Sequence, residues 1–162
     1  MDPNATQFEF FDLEELQDPL LRSGVDYWKS LRGTRAFPTR EQIVPRAITP
    51  LLSRTVLIKV IDDGADFEYV IVGDEVERAY KAKLIHRRIS DIAREMPNTI
   101  GFWGDLYRKV YKDFKPAAVR MVAGHDGETR FSEGIVVLLP LGPSDDRIDH
   151  MITFGRRSLI RL

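Results

Sequence analysis

The chain has 162 residues, 43% of them hydrophobic and 30% charged, the composition of a soluble globular domain long enough to bury a core. A formal net charge of -1 and a pI near 6.3 argue against bulk electrostatic attachment to nucleic acid or to an anionic membrane. With no cysteine, disulfides, Cys-based zinc sites, iron–sulfur clusters, thiol catalysis and a cysteinyl–flavin light sensor are all excluded.

The opening segment, MDPNATQFEFFDLEELQD, is acidic, has no basic stretch before an apolar run, and does not read as a signal peptide. No segment reaches the roughly 20 apolar residues of a membrane span, so the expected location is cytoplasmic. Residues 1 to about 11 read as a tail. Phe8, Phe10 and Phe11 nevertheless need a surface, either on the domain or on a second subunit. Asp12 with Glu15 forms a capping-box pattern and predicts a short helix. Asp18-Pro19 then places a cap and a first-turn proline at the head of a second helix, which carries Leu21, Val25 and Trp28 at helical spacing and stops at Gly33. Thr39 and Gln42 form another capping box, and Pro45 and Pro50 break up a linker running to residue 53.

The periodicity changes after the linker. RTVLIKVI (54–61) and DFEYVIVG (66–73) alternate as strands, and the DDGA between them makes a hairpin. Short helical pieces fill 74–97. Asn98 to Lys115 follows as a long amphipathic helix, with Ile100, Trp103, Tyr107, Val110, Tyr111 and Phe114 on one side. Gly101 and Gly104 inside it imply a close approach to its backbone. Three strands close the chain over 117–123, 128–141 and 147–157, the first two joined through Asp126-Gly127. The order predicts an α+β domain, a five-stranded antiparallel sheet with helices over one face and an N-terminal helical extension. The expected division is 1–53 for tail, extension and linker, 54–157 for the domain, and 158–162 for a C-terminal tail.

That order resembles a PAS domain. The runs YWKSLRG (27–33), FPTREQIVP (37–45) and PLLSRTVLIKV, the hairpin FEYVIVG and the closing LPLGPSDDRIDHMITF resemble a family of small standalone bacterial PAS proteins, over about residues 25–157. The resemblance implies a sensory or protein-interaction module, often dimeric, and no activity of its own. Haem-binding PAS proteins carry an axial histidine on the long helix. Residues 98–115 contain none, so haem is disfavoured, as is flavin, and no cofactor is expected.

The candidate ligand-binding set is Tyr69, Trp103, Tyr107, Met121, His150 and Phe154, between the long helix and the sheet. Such a pocket is mostly apolar with a few polar tips, the usual composition of a small-ligand site. Packing alone would account for the same residues. His150 reads first as a core or cavity histidine, Arg120 as a surface residue, and His125, Asp126 and Glu128 as solvated turn residues. Asp62, Asp63 and Asp66 lack calcium-loop spacing. The basic run Arg78, Lys81, Lys83, His86, Arg87 and Arg88 reads as a solvated face. No catalytic residue and no metal site is expected. Leu21, Val25 and Trp28 are the expected interface of a homodimer, and a separately encoded signalling protein is the expected partner, with neither nucleic acid nor membrane involved. Two alternatives stand beside this: a small α+β enzyme pairing His150 with Asp105 or Glu133, and a purely structural dimerisation module.

Overall fold

A computed structural model describes residues 4–126 and 131–159. The expected Asp126-Gly127 turn, together with Glu128, therefore lies largely outside the described residues. Six strands form one antiparallel sheet: β1 (Gln7–Phe11), β2 (Thr55–Ile61), β3 (Asp66–Val72), β4 (Ala117–Val122), β5 (Phe131–Leu141) and β6 (His150–Leu159). Their order across the sheet is β1-β4-β5-β6-β2-β3. The long β5–β6 ladder, from Leu141 opposite His150 to Phe131 opposite Leu159, forms its centre.

Five of these strands are the ones that alternation predicts, and the fold class is as expected. The sixth, β1, lies in the segment read as a tail. It docks on the domain's own edge, with Gln7 opposite Val122 and Phe11 opposite Ala118.

Helix α1 (Pro19–Arg32) begins where the sequence places it. The Asp18 carboxylate accepts from the amides of Leu20 and Leu21, and Gly33 closes the helix at φ 59°. It lies across one sheet face, and Gly24 permits the contact: a Cβ there would sit 2.5 Å from Cδ2 of Phe154. The Trp28 indole N–H donates to the carbonyl of Pro140 at 2.9 Å, and Asp18 pairs with Arg156. The Thr39–Gln42 capping box forms as read. Gln42 also reaches back to α1, its amide donating to the Leu31 carbonyl at 3.1 Å, which pins the linker to the helix end.

The opposite face carries α2 (Asp74–Tyr80), α3 (Ile89–Glu95) and α4 (Trp103–Asp113). Helix α4 starts five residues later than the expected Asn98 (98 against 103) because Asn98 is not its cap. Asp126, from the chain beyond β4, takes that role for the preceding turn, accepting from the amides of Asn98 at 2.8 Å and Thr99 at 2.7 Å. Gly101 belongs to that turn, and the carbonyl of Pro97 would lie 2.4 Å from a Cβ there. Phe114 ends α4 in the left-handed region at φ 56°. Among the described residues, no helix is long and apolar enough to cross a membrane.

Candidate functional site

The strands fix which side chains share a space, because residues two apart on a strand point the same way. On β6 Thr153 lies beside the Tyr107 phenol of α4 and Arg157 reaches over the Trp103 ring, so the odd-numbered residues of that strand face α4. Phe154 faces α1 instead, against Gly24. His150 shares the parity of Phe154 and lies on the same side.

The expected ligand set is therefore divided by the sheet. Tyr69, Trp103, Tyr107 and Met121 lie on the α4 side and are buried. Phe154 and His150 lie on the α1 side. The α1 stripe is spent within the chain: Leu21, Val25 and Trp28 are 0%, 5% and 0% exposed, which leaves none of them at the surface for a second subunit.

The chamber expected under α4 is packed with buried aromatic side chains. Trp103 lies 5.6 Å from Tyr107, centroid to centroid, and Tyr107 lies 5.3 Å from Phe67. The Trp103 indole donates to the Tyr80 hydroxyl at 3.0 Å, both residues being buried. Arg157, reaching over from β6, places its guanidinium carbon 5.4 Å from the Tyr80 ring centroid and 6.0 Å from that of Trp103. Tyr80 and Arg157 complete the chamber and were missed by the sequence reading. Tyr80 falls in a charged stretch, and Arg157 sits near the chain end, where an arginine reads as surface.

Burial raises the Tyr69 phenol well above its ordinary value, the neighbouring Tyr107 and Tyr80 add to the rise, and the Arg157 charge opposes it. Burial raises Tyr107 in the same direction, again with Tyr80 adding and Arg157 opposing. The phenols are accordingly held neutral, as hydrogen-bonding tips in an apolar space.

On the α1 side, beyond the end of the helix, a groove of about 500 Å³ opens on the sheet, bordered by Arg120, Val122, Ile135 and Arg156. Arg120 is exposed as expected, its guanidinium carbon 3.8 Å from the Phe11 ring centroid. His150 Nδ1 lies 3.0 Å from Oδ1 of its neighbour Asp149. Asp105 is engaged with Arg108 at 3.1 Å and is exposed on α4, across the sheet from His150. Glu133 is exposed on β5, where it pairs with Ser158 at the far end of β6 from His150.

The basic run follows the turns between α2 and α3, with Lys81 and His86 at positive φ. Arg87 pairs with Glu95 at 2.6 Å and Lys83 with Glu77 at 3.9 Å. Asp62 and Asp63 form the β2–β3 turn, and Asp66 accepts from the Ser90 hydroxyl at 2.5 Å. Among the described residues, no group of three or more His, Asp or Glu side chains is placed to hold a metal ion.

No curated protein and no solved structure matches the chain. A family model described as PAS domain matches residues 17–154. That stretch begins beside the cap of α1 and ends at the Phe154 on which α1 rests, taking in α2 to α4 and five of the six strands. The chain belongs to the PAS domain family.

Proposed function

We propose that the protein is a non-catalytic sensory module of bacterial signalling, one that reads a small organic ligand held between α4 and the sheet and passes its state to a separate protein. The observation that carries this reading is the chemistry of the chamber. Aromatic rings pack many cores, but packing alone calls for no cluster of polar tips, and this core gathers the Tyr69, Tyr80 and Tyr107 hydroxyls, the Trp103 N–H and the Arg157 guanidinium around α4. Polar tips on an apolar wall recognise an organic molecule of modest polarity. In this reading the ligand is non-covalent and colourless, and neither haem nor flavin is involved.

A route outward starts at the same place. Phe102, next to Trp103, stacks on Phe8 of β1 at 5.7 Å, so a shift in the first turn of α4 reaches the sheet edge. Native mass spectrometry of protein purified from its own host tests the proposal. The expected result is a retained organic molecule whose occupancy falls in Tyr107→Phe and Tyr80→Phe. A folded protein that carries no molecule would count against it, if Trp103 fluorescence in a Trp28→Phe background also stayed unchanged across a metabolite screen.

A second reading, a small enzyme working through a histidine–carboxylate pair, has one observation on its side, the 3.0 Å approach of His150 to Asp149. That pair lies on the α1 side of the sheet, away from the aromatic chamber. Retention of the chamber ligand in His150→Gln separates the two readings.

A further inference from the structure

Strand β1 lies outside the stretch that matches the PAS family, at the end of the sheet, with β4 as its only strand neighbour among the described residues. Edge strands are ordinarily blunted by shortness, charged side chains, proline or a bulge, because their unpaired amides and carbonyls template another strand; of these β1 has its five-residue length and one charge, Glu9. Gln7–Phe11 contains neither lysine nor proline, and its register with β4 runs without a shift. Phe8 and Phe10 remain 42% and 38% exposed on the α4 side of this edge.

We propose that the outer edge of β1 is a homodimerisation surface, on which two copies of this chain pair β1 with β1 antiparallel about a two-fold axis at Glu9, joining two sheets into one. The sequence of the strand is what selects a second copy as the occupant. A two-fold axis perpendicular to the sheet keeps like faces together, so Phe8 falls opposite the partner's Phe10 and Phe10 opposite the partner's Phe8. Two cross-strand aromatic pairs then cover the exposed rings. Gln7 falls opposite the partner's Phe11. The one like-charge contact, Glu9 against the partner's Glu9, is softened because each glutamate has Arg120 of its own chain 3.9 Å away. The proposal does not depend on the chamber holding a ligand.

Because the chain lacks cysteine, a single introduced thiol reports alone. Directly opposed residues in an antiparallel pair have Cα atoms about 4.5–5.5 Å apart, inside disulfide range. Mild oxidation of full-length Glu9→Cys is therefore expected to give a covalent dimer near completion. Gln7→Cys, whose two thiols would sit about 13 Å apart along the ladder, is expected to stay monomeric. In sedimentation, the reduced wild type is expected to show a reversible monomer–dimer equilibrium. Phe10→Glu, which can pair with Lys109 and so keep β1 docked, should weaken it at least tenfold. Glu9→Gln, which removes the opposed charges, should tighten it about threefold. The proposal is overturned by a wild type that stays monomeric at every concentration, by Gln7→Cys cross-linking as fast as Glu9→Cys, by a dimer indifferent to Phe10→Glu, or by β1 amides that gain protection only when a different protein is added.

Discussion

The indole N–H of Trp103 donates to the hydroxyl of Tyr80 at 3.0 Å, tying the first residue of α4 to the last residue of α2 inside the core. Tyr80→Phe keeps the ring under Arg157 but removes the acceptor, leaving a buried N–H without its phenolic partner. A buried donor deprived of its acceptor costs about 1–3 kcal/mol. Urea denaturation of Tyr80→Phe is expected to show a loss in that range at unchanged m-value, with a shift in Trp103 emission. A loss near zero would mean that this hydrogen bond does not hold the two helices together.

Tyr69 and Tyr107 make the fold sensitive to alkali. Burial holds both phenols above the ordinary value of 10.0, so between that value and the raised one the folded chain binds protons that the unfolded chain has released. Stability is therefore full below about pH 10 and falls as pH rises above it, by about 1.4 kcal/mol per pH unit for each such tyrosine. Urea midpoints between pH 8 and 11 check this. Tyr107→Phe should flatten the alkaline slope by about one tyrosine's share, while an unchanged slope would remove Tyr107 from the linkage.

Trp28 is a stability residue of the single chain. Its ring is fully buried against the sheet and its N–H reaches the Pro140 carbonyl. Truncating a buried tryptophan costs about 3–5 kcal/mol. Trp28→Ala is expected to lose stability on that scale without a specific change in self-association of the folded fraction. Trp28→Phe should lose less, about 1–2 kcal/mol, mainly the hydrogen bond. Sedimentation velocity beside thermal denaturation separates the two effects.

Local rules made much of the architecture legible. Asp18, Pro19 and Gly33 bracket α1, and Thr39 with Gln42 forms its box, because caps depend on residues a few positions apart. The two faces of β6 were not legible. Met151, Ile152, Thr153 and Phe154 are all buried, since helices cover both sides, and a strand buried on both sides carries no alternation to say which side chain meets which helix. Phe154 was accordingly assigned to the α4 chamber when it supports α1. Strand β1 escaped for a related reason: it is five residues long, and its pairing with β4 is set far along the chain. The start of α4 was misplaced because Asn98 has the side chain of a cap, while the carboxylate that fulfils the role, Asp126, comes from beyond β4.

Asp126 is the knot between that loop, the entry to α4 and the N-terminal strand. Its Oδ2 accepts from the amide and hydroxyl of buried Thr99 at 2.7 and 2.9 Å and from the Asn98 amide at 2.8 Å. The Asn98 carbonyl in turn accepts from the Thr6 amide at 2.9 Å, just before β1. Removing the carboxylate strips at least four donors at once, the Asn98 side-chain amide among them, two being backbone amides at the head of a helical segment. Asp126→Ala is expected to cost about 2–4 kcal/mol, and Asp126→Asn, which keeps an acceptor but not the charge, about 1 kcal/mol. Hydrogen exchange locates the damage. The amides of Asn98, Thr99 and Thr6 should lose protection well before those of β6, because the central ladder does not depend on Asp126 while the docking of β1 does. Uniform loss of protection across the sheet would show instead that the carboxylate supports the whole fold and does not serve as a local clasp.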